Sequence, residues 1–398
     1  MPLLLDSLFS SVAMSHFMVD LLNGSRPVLL AYLSGPLGLT NAMLGLISTL
    51  YVWTGSLTQP LFGWLTDRLG PRWLAAGGVF WQMFFFILAI LAPGRSTLPL
   101  LVLGSLGSAS FHPSGTMQAT LRGRHHFAGK ETTSASFFFM FGQLGLFLGP
   151  VVAGPLLDRF GLAGLLIPAG LSLPVSLNVG RQLRHIKPVT LDPGDTVPVD
   201  PAYGRGFILA LAGIASLQAW SQQNMITFVP KYLNDLGVSP AIYGLIAGLF
   251  MGGSALGNVV GGNLADRFGK LKVARLMLGL ASVPLLLVSR IGWSPWLFLL
   301  VPLSGMLTGA VYSIVVVTAQ RAVPGGMGLA SGLTLGFIFS SGALGTLVSG
   351  PLADVWGFPI VFQMSAGLVL VAAFITLPMQ RNLSFATEQR VQKETAAS

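Results

Sequence analysis

One carboxylate in this sequence falls in the middle of a long apolar run. The chain has 13 acidic residues. Asp67, Asp158, Asp266 and Asp354 belong to a repeated loop motif. Asp192, Asp195 and Asp200 lie in a hydrophilic stretch, Glu388 and Glu394 lie close to the C-terminus, and Asp6, Glu131 and Asp235 sit near the ends of apolar segments. That leaves Asp20. His16, Asp20, Asn23 and Pro27 recur at i, i+4, i+7 and i+11, which on a helix is one face. A charge at bilayer depth costs about 2.5–3.5 kcal/mol on insertion scales and by default marks function. The chemistry available to Asp20 is reversible proton carriage, with His16 sharing the proton or fixing the carboxylate. The competing reading is a structural acid tied to neighbouring donors.

Arg26 lies in the same segment, off that face and towards its outer end. It is a candidate to hold an anionic substrate, or else it snorkels outwards. A second cluster is Ser110-Phe111-His112-Pro113-Ser114-Gly115. Pro113 removes a backbone donor and is expected to bend its helix. Such irregularity is tolerated in lipid only where it is buried or lines a cavity, so His112 joins His16 and Asp20 as a proton-coupling candidate. An offset of 200 maps Ser108 and His112 onto Thr308 and Tyr312, and Asp20 onto Trp220. The second half therefore has no intramembrane acid. It offers Gln218, Ser221, Gln222, Asn224 and Tyr312 as a polar cavity wall facing a substrate, alongside Asn23 and Arg26; the same groups are also suited to tying helices together. His16, Asp20 and His112 are metal-ligand types, but no HExxH or comparable spacing exists. No catalytic residue, metal or cofactor is expected.

These residues need helices in lipid to position them. The chain has 398 residues, 53% hydrophobic and 9% charged, with a mean hydropathy of +0.73. Soluble domains carry about 25% charged residues. Twelve stretches are long and apolar enough to cross a bilayer: 4–33, 42–63, 73–93, 96–121, 132–157, 161–182, 206–229, 241–262, 271–291, 294–320, 327–353 and 358–379. The N-terminus lacks a basic residue before its apolar run and reads as a retained first helix, not a signal peptide. With both termini in the cytoplasm, all but Arg26, Arg95, Arg159, Lys231 and Arg290 of the 22 basic residues fall on inner loops or the tail, as positive-inside bias requires. The net charge of +9 is thus a topology signal and calls for no nucleic acid. There is no cysteine, hence no disulfide. Turn-formers and mixed charge over 183–205 read as a cytoplasmic linker, dividing an N-terminal six-helix bundle, 1–182, from a C-terminal one, 206–380, with a tail at 381–398.

The pattern G-x-L-x-D-x-x-G occurs four times, at Gly63–Gly70, Gly154–Gly161, Gly262–Gly269 and Gly350–Gly357. The copies end the second, fifth, eighth and eleventh spans. A period near 90 residues implies a three-helix unit used four times, and an odd number of helices inverts successive units, as in secondary transporters.

Gly63 to Arg72 resemble the loop motif of the major facilitator superfamily, G-x-x-x-D-R-x-G-R/K-R/K, with Pro71 in place of one basic residue. The resemblance covers the whole chain. It implies an all-α fold of twelve transmembrane helices in two pseudo-symmetric bundles, and a conformational latch formed by Gly63, Asp67, Arg68, Gly70 and Arg72, repeated by Asp266 and Arg267. Asp67 is expected to face the positive N-terminal end of the eleventh helix. Gly145, Gly149, Pro150, Ala153 and Gly154 are similar to the fifth-helix motif of proton-coupled drug antiporters, with Ala153 in place of a glycine; a glycine-rich face also simply permits tight packing. Phe111-His112-Pro113 followed by Ser-Gly, together with His16 and Asp20, resembles the fosmidomycin-resistance group, where an acidic residue usually stands at the position of Ser114. The resemblance implies a monomeric, proton-coupled antiporter of a bacterial inner membrane, exporting a small drug-like or weakly anionic compound. A symporter importing a nutrient, and a receptor or scaffold that transports nothing, are the alternatives.

Overall fold

The computed structural model describes residues 3–126, 131–186, 204–322 and 327–397; most of the expected linker, 187–203, and the loops at 127–130 and 323–326 lie outside it, as do the side chains of the tail. The described chain is helical, with no strand: α1 Ser7–Ser34, α2 Asn41–Leu57, α3 Gln59–Leu69, α4 Pro71–Leu91, α5 Thr97–His126, α6 Glu131–Phe160, α7 Leu166–Gln182, α8 Arg205–Asp235, α9 Pro240–Phe268, α10 Lys270–Val288, α11 Leu297–Gly309, α12 Tyr312–Ala322, α13 Met327–Trp356 and α14 Phe358–Ala397. Among the described residues, seven helical segments are long and apolar enough to cross a membrane on their own.

Among the described residues fourteen helices serve twelve spans, because two spans are broken. The second is split at Thr58. Pro60 has no N–H and disfavours helical geometry in the residue before it, so α3 restarts with proline in its first turn. The tenth is split after Gly309, where the Ser313 N–H donates to Asn258 Oδ1 at 3.0 Å instead of closing a helical turn. By contrast, α5 is helical straight through Pro113.

The closing glycine of every octapeptide copy has positive φ: Gly70 at 86°, Gly161 at 59°, Gly269 at 94° and Gly357 at 76°. Left-handed backbone is strained for any residue with a Cβ. This is why each copy ends in glycine. The N–H of Gly70 bonds back to the Thr66 carbonyl at 2.9 Å and that of Gly269 to Ala265 at 2.9 Å, sealing the helix end.

The chain packs as two compact units. The first comprises Met1–Leu191, Ile226–Gly252 and Thr346–Val355; the second comprises Asp192–Met225, Gly253–Gly345 and Trp356–Ser398. In the first unit α1 lies directly on α6. A Cβ on Gly145 would strike the Phe17 carbonyl, and one on Gly149 that of Leu21; Ser25 Oγ donates to the Gly149 carbonyl at 3.1 Å. The end of α6 meets α9 in the same way, Gly154 facing the Pro240 carbonyl and Gly244 that of Pro150. Asp354, near the end of α13, accepts from the Asn41 and Ala42 N–H groups at 2.8 and 2.9 Å, at the positive N-terminal end of α2. At the start of α1, Asp6 accepts the Phe9 N–H at 2.8 Å and takes Arg122 through both oxygens, at 2.9 and 2.5 Å. In the second unit, Gly253, Gly257 and Gly261 of α9 admit the backbone from Pro302 to Ala310, and Gly342 of α13 admits Ala219 of α8.

Candidate functional site

α1 carries His16 and Asp20 on one face, and α5 brings His112 to meet them. The residues of this cluster lie in the first unit. Asp20 is 6% exposed and His16 3%. His16 Nε2 lies 3.2 Å from Asp20 Oδ2, and His112 Nε2 lies 3.6 Å from Oδ1. The carboxylate is therefore approached by one imidazole on each oxygen.

The other ring nitrogens set the proton count. His16 Nδ1 is 2.8 Å from the Phe138 carbonyl. His112 Nδ1 is 2.7 Å from the Ser108 carbonyl. A carbonyl only accepts, so each Nδ1 must carry hydrogen, and each Nε2 carries one only when the ring is imidazolium. Two neutral imidazoles would set two lone pairs against a carboxylate. The His16 contact at 3.2 Å is attractive when a proton sits on the imidazole or the carboxyl. The looser His112 contact has room for a second. The three ligand atoms also lie within 4.8 Å of one another, and a ring nitrogen anchored on a carbonyl is the usual support of a metal-binding histidine, so these are the described residues best arranged to hold a cation of any kind.

The cluster is held by stacking and by backbone proximity. The His16 ring stacks on Phe138 with centroids 4.0 Å apart and meets the His112 ring edge-on at 5.0 Å. Opposite them stands Gly142 of α6, where a Cβ would collide with His16 Nε2 and Cε1 and come within 2.8 Å of Asp20 Oδ2. Gly142, Gly145 and Gly149 form one glycine stripe at helical spacing. The stripe that resembles an antiporter motif is thus also what makes room for the imidazole–carboxylate pair.

Asn23 connects this cluster to the rest of the polar interior. Its Nδ2 donates to Asp20 Oδ1 at 2.9 Å and to Ser108 Oγ at 3.0 Å, which uses both hydrogens. Its Oδ1 accepts from the Tyr51 hydroxyl at 2.5 Å and from Gln82 Nε2 at 2.9 Å. Gln82 also donates to the Val19 carbonyl at 3.0 Å. Arg26 lies with its guanidinium carbon 4.3 Å from the Tyr51 ring centroid and is buried, not snorkelling: its residue is 5% exposed. Tyr51, Gln82 and Gly142 escaped the sequence reading. Gln82 was detectable as a lone amide in an otherwise apolar segment, and Gly142 as a step preceding Gly145.

Ser114, which stands where the resembled group has an acid, pairs with Thr66 Oγ1 at 2.6 Å and ties α5 to α3. In the second unit, the expected cavity wall divides. Gln218 is buried and donates to the Thr308 carbonyl at 3.1 Å. Asn224 is buried and donates to Ser365 Oγ at 3.0 Å. Both bonds join helix to helix, since an amide within an apolar bundle must find its partner inside it. Gln222, only half-buried, also reaches neighbouring helices, donating to Ser254 Oγ at 3.1 Å and Thr308 Oγ1 at 3.4 Å, and Tyr312, half-buried too, has its ring 6.5 Å from that of Phe339. Of the latch residues, Gly63 packs on Pro113, Asp67, Asp266 and Arg267 are exposed, and Arg68 and Arg72 lie over Trp64 and Trp73 at 4.1 and 4.9 Å. The loop before α13 that Asp67 was expected to face lies outside the described residues.

The family model described as Major Facilitator Superfamily matches residues 8–197 and 211–394. The Fosmidomycin resistance protein of Escherichia coli (strain K12) is 26% identical over 388 residues, covering 94% of this chain and 93% of that protein. The Gentisate transporter of Corynebacterium glutamicum is 24% identical over 378 residues, covering 89% and 83%. Among solved structures, a bacterial homologue of the lysosomal transporter Spinster, in an inward-facing and unoccupied conformation, superposes with a TM-score of 0.74 at 14% identity over 94% of this chain and 98% of that one. The nucleoside transporter NupG gives 0.71 at 18% identity, over 94% and 98%.

Proposed function

Because this chain belongs to the Major Facilitator Superfamily, we propose that it is a proton-coupled antiporter that exports a small organic compound, with Asp20, His16 and His112 as its proton site. It is a transporter and not an enzyme, of the fosmidomycin-resistance and multidrug type. The observation that carries the proton reading is the pair of imidazoles on one buried carboxylate, each with Nδ1 committed to a backbone carbonyl. Such a cluster holds together with a proton in it and repels itself without one. Loading from the outer side draws His16, Asp20 and His112 together; release to the cytoplasm sets the lone pairs against the carboxylate and loosens α1 from α5 and α6. Alternating access links that change to cargo movement, with cargo and proton travelling in opposite directions.

The same reading places the protein in a bacterial inner membrane as a monomer with both termini in the cytoplasm. It assigns Asp67, Arg68, Arg72, Asp266 and Arg267 to an inner latch, and Gln222 and Tyr312 to the cargo path. Fosmidomycin is the first compound to test, since the protein named for resistance to it aligns along nearly the whole chain. The experiment is proton movement in proteoliposomes, followed with a pH-sensitive dye on addition of fosmidomycin and then of a compound panel. Native protein should show cargo-evoked flux, and Asp20→Asn should lose it. Equal flux in both proteins would remove Asp20 as the carrier.

A further inference from the structure

We infer that Arg26 is an anion-binding group, and that the cargo is a compound bearing one carboxylate, phosphonate or phosphate group that docks on it. The inference deepens the transport reading and rests on it, but does not depend on Asp20 being the proton carrier. Arg26 Nε and Nη1 are buried and have no hydrogen-bond partner. The residue is 5% exposed, and its guanidinium is always charged. Its one described neighbour of note is the Tyr51 ring, which attracts a cation but offers no acceptor in the guanidinium plane. Asp20 lies six residues earlier on the same helix, about 9 Å along the axis, and its oxygens are taken by His16, His112 and Asn23. A buried cation without an acceptor is costly, and a protein retains one where a ligand supplies the missing charge.

The geometry points to the ligand's chemistry. A guanidinium edge is a planar fork that matches two oxygens of one carboxylate or phosphonate. One such fork calls for one anionic group. The site is also wired to the proton cluster. Tyr51 lies under Arg26 and donates to Asn23, and Asn23 donates to Asp20. An anion that draws Arg26 away from Tyr51 alters the hydrogen bonds that hold the Asp20 carboxylate. His112 and Asn23, both half-buried, mark the side from which a ligand reaches the network.

The test is ligand binding by purified, full-length protein in detergent at fixed pH and matched ionic strength, read as thermal stabilisation and as an affinity. The probes are benzoate and phenylphosphonate, with uncharged benzamide as control. Native protein should be stabilised by the two anions and not by benzamide. Arg26→Gln should lose that response, at least about tenfold in affinity for a lost charge-assisted contact, while its ligand-free melting temperature stays equal or rises. Arg26→Lys, which keeps a charge but not the fork, should weaken phenylphosphonate binding by a similar factor, and it decides the matter should Arg26→Gln not fold. Asp20→Asn should still bind the anions, which separates this result from the proton-flux experiment. An Arg26→Gln protein that binds anions as the native one does overturns the proposal. So does native protein that does not distinguish anions from benzamide.

Discussion

At the scale of single residues, the proposed proton site is defined as much by an absent side chain as by its three titratable ones. Gly142→Ala places a methyl group where His16 Nε2 and Cε1 now lie. Overpacking of this kind costs about 1–3 kcal/mol. Here it also pushes His16 off Asp20, so cargo-evoked proton flux should fall by far more than the lowered melting temperature explains. Tyr51→Phe makes a subtler change. It removes the hydroxyl donor to Asn23 Oδ1 but leaves Gln82 in place, so the loss should be about 1 kcal/mol. Thermal unfolding in detergent measures the stability term, and the flux assay shows whether Asn23, freed on one side, still positions Asp20.

Elements are joined here by bare backbone and helix termini. The closing glycines of the octapeptide copies hold left-handed turns, so Gly269→Ala should cost about 1–2 kcal/mol through backbone strain alone, although a Cβ there meets nothing within 4 Å. A neighbouring control such as Asn263→Ala, without positive φ, should cost less. Asp354 makes a separate contribution. It accepts the Asn41 and Ala42 N–H groups at the beginning of α2, and losing such a cap costs about 1 kcal/mol. Hydrogen exchange should therefore quicken at residues 41–45 in Asp354→Ala, with little change around His16. Unchanged protection would show that Thr40, the N-cap that accepts from Met43, suffices. The motif predicts a carboxylate facing a helix start at Asp67. The contact described is made by the equivalent aspartate of the fourth copy.

For the whole molecule, the proposal fixes orientation. A reporter active only in the cytoplasm, fused after Ser398, should be active, and one active only outside should be silent. The reverse pattern would turn the assignment of inner and outer motif copies upside down. Direction of transport is decided by an imposed proton gradient: an antiporter drives cargo against the proton, a symporter with it. Cargo moving with the proton would retain the site and discard export.

The sequence by itself determined the class of molecule, because continuous apolar stretches of about 20 residues, too long for barrel strands, in a chain with 9% charged residues satisfy their backbone in lipid as helices. It determined the four-fold repeat, since each copy needs a glycine at the same turn. It singled out Asp20 and its histidines, since isolated charge in an apolar run is visible one residue at a time. Tertiary structure alone decided what those residues touch. Tyr51, Gln82 and Gly142 come from three other helices, and nothing in their own segments says that they meet Asn23 or His16. It also decided that Gln218 and Asn224 tie helices together and that Arg26 stays inside, since an amide or a guanidinium looks the same in sequence whether it faces a cavity, a neighbour or the membrane surface. Partnering is a property of helix-to-helix distance, and a one-dimensional pattern carries the period of a helix but not its neighbours.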